Sequence, residues 1–204
     1  MHSTETELKI VASAEKLFYQ RGKAGASMQD IADDAGINRT LLNYYFRTKD
    51  QLFEAVFRKA LSNFVPGLVS LMESDISFDE YIARLVETVI DSMLEHPQIP
   101  IFVLQELTSN PDRMPQIMRE MGIDPEMAIQ KISNEPIMEG SGVKDPRQMI
   151  INLLALCIFP FAARPVITEI LYMGNNATYI QAMKDRKELL PELFRKLMDQ
   201  KQNP

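Results

Sequence analysis

This chain of 204 residues is poor in the side chains that most chemistry requires, with one cysteine, Cys157, and two histidines, His2 and His96. A lone thiol excludes an internal disulfide. Its apolar neighbours point to an inert buried group, because burial raises a thiol pKa. Two histidines without a cysteine or carboxylate cluster at ligand spacing give no metal site, and no cofactor is expected. Neither a phosphate-cradling glycine loop nor a Ser-His-Asp order is visible, so an enzyme is not expected. No apolar run nears the roughly 18 residues of a membrane span. The opening MHSTETELKI lacks the basic start and apolar core of a secretory signal, so a cytoplasmic protein is the simplest expectation. Strand-like alternation and long-period repeats are also missing, which leaves an all-α fold.

What is present is helical periodicity punctuated by caps. Thr4 with Glu7 reads as a capping box for a first helix carrying Leu8, Val11, Leu17 and Phe18, which Gly22 ends. Thr48 with Gln51 opens a helix with Leu52, Phe53, Val56 and Phe57 at core spacing, kinked near Pro66 and Gly67. Ser77 with Glu80 opens the clearest amphipathic run, which His96-Pro97 breaks. A short helix from Gln98, one reaching roughly Lys131, an apolar one from Met149 bent at Pro160 and Pro165, and a last helix to about Gln200 complete about nine helices. Residues 134–146 read as a loop. The division expected is a head over residues 1–48 and a body over 49–204, with the fourth helix as connector.

Ser27 to Lys49, SMQDIADDAGINRTLLNYYFRTK, is explained better by an outside partner than by packing. Met28, Ile31, Ala32 and Ala35 make one apolar helix face, Ser27 caps it, Gly36 supplies a positive φ at its end, and Asn38 caps the next helix. In that second helix Leu42, Tyr45 and Phe46 face inward, leaving Arg39, Thr40, Asn43 and Tyr44 outward. This is a helix-turn-helix whose outer face can read base edges and grip phosphate. The overall charge of −6 hides a local bias, since Ile37 to Ala60 holds five cations against two anions.

DIADDAGINRTLLNYYFRTKDQLF resembles the TetR family of bacterial transcriptional regulators in its Ile-Ala pair, turn glycine, recognition-helix leucine, aromatic-Phe end, and following Lys and Leu. The resemblance covers about residues 5–60. It implies a homodimer through the last two helices, a three-helix DNA head on each subunit, and a helical regulatory domain with a ligand cavity. By position, Arg39, Thr40, Asn43 and Tyr44 would face the major groove of an operator, and Ser27, Gln29, Tyr45 and Lys49 would serve the backbone or a flanking base. Thr40 and Asn43 depart from the common Gly and Tyr, which changes the operator read more than whether one is read.

For a pocket the inward aromatic or polar candidates are Phe78, Tyr81, Phe102, Gln105, Met118, Asn152 and Phe159. The function expected is a ligand-responsive repressor, released from a pseudopalindromic operator by a small apolar or amphipathic effector. The competing reading is a helical ligand-binding or enzymatic protein that keeps the helix-turn-helix only as a packing unit. In that case Tyr81, Glu106 and Arg164 are the residues to inspect for catalysis. An exposed, positive surface around Arg39, Tyr44 and Lys49 favours DNA.

Overall fold

The computed structural model describes residues 4–62, 65–120, 123–134 and 145–198, so His2 and most of the loop expected at 134–146 lie outside the described residues. Among them are twelve helices and no strand. They are α1 (Glu5–Gly25), α2 (Met28–Asp34), α3 (Arg39–Tyr45), α4 (Lys49–Ser62), α5 (Val65–Glu73) and α6 (Phe78–Glu95), then α7 (Ile99–Ser109), α8 (Arg113–Glu120), α9 (Pro125–Ser133), α10 (Pro146–Ala162), α11 (Arg164–Leu171) and α12 (Asn176–Met198). Three expected helices are each described as two segments, which accounts for the difference from nine. The expected long fourth helix appears as α4 and α5, the one ending near Lys131 as α8 and α9, and the apolar one as α10 and α11, bent by 75°. Prolines mark the second segments. Pro66, Pro125 and Pro165 fall in the first two residues of α5, α9 and α11, where a missing N–H costs least.

The caps behave as their chemistry requires. Thr4, Ser27, Asn38 and Ser77 each accept the backbone N–H three residues on, and Thr48 accepts that of Gln51. Gly22, at φ 66°, breaks the helical path of α1 before its assigned end.

Two hydrophobic cores form. The first gathers α1 to α5 around Phe18, Leu42, Phe53 and Phe57, and takes in Ile99 and Phe102 of α7 and Ile117 of α8. Phe53 and Phe57 stack at 6.1 Å, and the other rings meet edge-on or tilted, with centroids 5.1 Å apart for Phe18 and Phe53, 5.3 Å for Phe53 and Phe102, and 4.8 Å for Tyr19 and Phe102. Such pairs add about 0.5–1.5 kcal/mol each beyond area burial. The second core lies under α6 and α12 and includes Val86, Val89, Ile90, Cys157, Tyr179 and Phe194. Burial pushes the Cys157 thiol up to about 11, as expected of an inert group.

Pro160 sits inside α10 and has no N–H to offer the Leu156 carbonyl four residues back. Arg186 of α12 donates to that carbonyl instead, at 2.8 Å, and the Tyr179 hydroxyl donates to the Pro160 carbonyl at 3.1 Å. The last helix therefore supplies what the proline removes. No single helix among the described residues is long and apolar enough to cross a membrane.

Candidate nucleic-acid interface

The turn between α2 and α3 is built from backbone bonds. Gly36 at φ 67° lets its own N–H reach the Asp33 carbonyl at 3.1 Å, and the Ile37 N–H reaches the Ala32 carbonyl at 3.0 Å. This closure satisfies two carbonyls at the end of α2 and fixes where α3 begins. At the start of α2, Ser27 and Asp30 form a reciprocal capping box. The hydrogen bonds from Ser27 hold the Asp30 carboxyl below its usual range.

Helix α3 then has one inside and one outside. Leu42 is fully buried and Phe46 nearly so, whereas Arg39, Thr40, Asn43 and Tyr44 are exposed, Tyr44 by 79%. The four supporting residues are already engaged. The Ser27 hydroxyl donates to Asp30 at 2.6 Å, the Gln29 amide to Asp33 at 2.7 Å, and the Lys49 ammonium to the Ala26 carbonyl at 3.2 Å. Tyr45 is half-buried and accepts from the Thr4 hydroxyl at 3.2 Å. Its ring meets that of Tyr44 edge-on at 5.4 Å.

Charge pairing separates the two sides of the head. Residues 4–60 hold nine cations. Lys9, Lys16, Lys23, Arg58 and Lys59 form ion pairs with carboxylates, whereas among the described residues Arg21, Arg39, Arg47 and Lys49 form none. The unpaired set includes every cation on α3, in the turn after it and at the first residue of α4. Three of the four unpaired cations thus stand on or just after the outward polar helix, Arg21 of α1 being the fourth, and that local surplus is suited to a polyanion.

The seven pocket candidates do not converge. Phe78 and Tyr81 are buried in the second core, Met118 is half-buried on α8, and Asn152 and Phe159 are exposed on α10, Phe159 by 63%. Phe102 and Gln105 share a hollow of about 570 Å³ between the end of α1, the start of α4, and α7. The residues of the catalytic alternative are also apart, each with its own partner. Lys131 lies 5.0 Å over the Tyr81 ring, Asn110 donates to Glu106 at 3.0 Å, and Arg164 donates to Asn176 at 2.8 Å.

Sequence reasoning missed the ionic seam between α4 and helices α7 and α8. The Arg113 guanidinium lies 2.5 Å from Glu54, 3.7 Å from the 5%-exposed Glu106 and 5.5 Å from the Phe57 ring. Arg58 pairs with both Glu54 and Glu120. The contacts of Arg113 with Glu54 and Phe57 and of Arg58 with Glu120 span 56 to 62 positions, and no local spacing announces them.

The model of the bacterial regulatory proteins, tetR family, matches residues 10–56, the span of this head. Over that span the chain carries the TetR-family domain. It is 29% identical over 185 residues to the probable HTH-type transcriptional regulator YttP of Bacillus subtilis, covering 87% of each chain. In fold it is similar to the ketosteroid transcriptional regulator KstR2 of Mycobacterium tuberculosis, with a TM-score of 0.68 at 17% identity over 94% of this chain and 95% of that one. It is also similar to AibR, solved with isovaleryl coenzyme A and operator DNA, with a TM-score of 0.63 at 18% identity over 77% and 86%. A TetR-family chain is a DNA-binding transcriptional regulator rather than an enzyme, so the catalytic alternative falls away.

Proposed function

We propose that the protein is a cytoplasmic, homodimeric, operator-binding repressor in which Arg39, Thr40, Asn43 and Tyr44 read the major groove. Ser27, Gln29, Tyr45 and Lys49 hold the phosphate backbone or a flanking base. The observation that carries this reading is α3 itself, with Leu42 and Phe46 locked into the core and four polar or aromatic side chains outward beside unpaired cations. Asn43 offers the donor and acceptor pair that suits adenine, and Arg39 the fork that suits guanine or phosphate.

The dimer is placed on the apolar face that α10, α11 and α12 leave open. Ile151, Leu154, Phe159, Val166, Ile170 and Leu193 are exposed there, part of the largest group of exposed apolar side chains among the described residues. These segments are the two helices expected last, the apolar one described as α10 and α11 and the final one as α12. A small apolar or amphipathic effector bound by residues 49–204 releases the operator by favouring a head spacing that no longer fits two half-sites. The bound ligand and operator of AibR support this type of response, and the functional division into residues 1–48 and 49–204 follows from it.

The test is selection of a binding site from random duplex DNA, followed by a salt titration. A pseudopalindrome and an affinity that falls steeply with salt are expected. A salt-independent affinity would overturn the assignment of the cations.

A further inference from the structure

The hollow between head and body has a composition that the operator reading does not use. It is lined by Phe53 and Phe102, which are 2% and 3% exposed, by the cations Arg21, Lys23 and Lys49, and by Gln105, with the Lys23 ammonium 4.8 Å over the Phe53 ring. Arg21 and Lys49 make no ion pair among the described residues, and the carboxylate of Lys23, Asp50, is 81% exposed at 3.2 Å. One carboxylate, Glu106, also lines the space. It is held by Asn110 and lies 3.7 Å from Arg113 within the wall, so its charge is answered locally. Cations beside two aromatic rings tilted by 50° to each other, in about 570 Å³, have the size and chemistry of a small-molecule site.

We propose that this hollow binds a small organic anion with a flat apolar body, of the aromatic carboxylate class, and that the bound anion weakens operator binding through Lys49. The regulatory half of the proposal rests on the reading of α3 and Lys49 as DNA contacts; the binding half does not. Lys49 is the first residue of α4 and has its ammonium on the Ala26 carbonyl, so it stands between the hollow and the reading head. An anion in the hollow takes up the donors that a DNA phosphate would otherwise share. Its body sits against Phe53 of α4 and Phe102 of α7, the two helices that meet behind the head.

The probe is 2-naphthoate, with 2-naphthalenemethanol as its neutral counterpart and inorganic phosphate as the bare anion, titrated into the full chain. The chain has no tryptophan, so naphthalene fluorescence reports binding without that background. Naphthoate is expected to bind about tenfold tighter than the alcohol, and phosphate to displace it poorly. Lys23→Gln should weaken naphthoate about fivefold with an unchanged thermal midpoint, and adding Gln105→Lys should restore it. Saturating naphthoate should weaken the operator complex by the same factor that operator DNA weakens naphthoate. No binding at millimolar naphthoate, equal binding of the alcohol, equal displacement by phosphate, or unchanged affinity in Lys23→Gln would each overturn the site. If the binding results hold and no duplex binds, the operator reading fails and the regulatory half falls with it, while the binding half stands.

Discussion

The core around Phe53 collects side chains from α1 to α5 and from α7 and α8, whereas the core around Val89 is closed by α5, α6, α9, α10 and α12. The first therefore joins α1 to α3 of the DNA head to α4, α5, α7 and α8 of the body, and the second holds body helices alone. Packed interiors move as units rather than deform smoothly. On the proposed release of the operator, a shift of α7 would reach α4 through Phe102 and the Arg113 seam, which pack against Phe53, Phe57 and Glu54. The second core touches the first only through shared body helices such as α5, and its own helices are tied to one another by bonds such as Tyr179 to Pro160.

Substitutions in each region test this contrast. Phe57→Ala in the fully buried centre of the first core should cost about 3–5 kcal/mol and lower the urea midpoint. It should also abolish operator binding at temperatures where the body stays folded. If the helical signal and the DNA affinity were lost together at one midpoint after an equivalent change in the second core, Ile90→Ala, the two cores would be less distinct than described. Arg39→Ala combined with Asn43→Ala removes about 1–3 kcal/mol of recognition per contact and should lower operator affinity about a hundredfold. Stability should move by less than about 0.5 kcal/mol, because both side chains are exposed.

Arg113→Ala leaves Glu106 buried beside Asn110 alone and Glu54 without one of its two cations. A loss of about 2 kcal/mol is expected, read by chemical denaturation. In the second core Tyr179→Phe removes one buried hydrogen bond and should cost about 1 kcal/mol without touching DNA affinity. If Tyr179→Phe weakened the operator complex more than Arg113→Ala, the first core would not be the route. The smallest effect is on pH. Asp30, Asp34, Asp145 and Glu192 have carboxyls held below their ordinary values of 3.8 and 4.5 by bonded neighbours. Their stabilisation is present above those ordinary values and is lost as pH falls through the lower folded ones, so the thermal midpoint should be flat near neutrality and fall below about pH 4.

The head was legible in the sequence because its signals are local. Ser27, Asn38 and Gly36 each act on backbone groups within three or four positions, and Leu42 with Phe46 sets the buried side of α3. The body was less so. Helix α10 is apolar on nearly every face, so periodicity could not tell its inner side from its outer one, and Asn152 and Phe159 emerged exposed. The extra helix segments depend on where proline meets tertiary packing. The Arg113 seam and the hollow are products of distant chain segments meeting, and only the run Arg21, Gly22, Lys23 hinted at a break in α1 with cations on either side.

The open face on α10 to α12 carries a consequence for abundance. On the proposed dimer, protomers that meet only through this face come apart on dilution, so below the dissociation constant the paired species varies with the square of protomer concentration. Occupancy of the operator then responds to copy number more steeply than a single-headed protein could. Because the interface is self-complementary, one substitution such as Ile170→Lys removes two contacts per dimer and moves that threshold twice over.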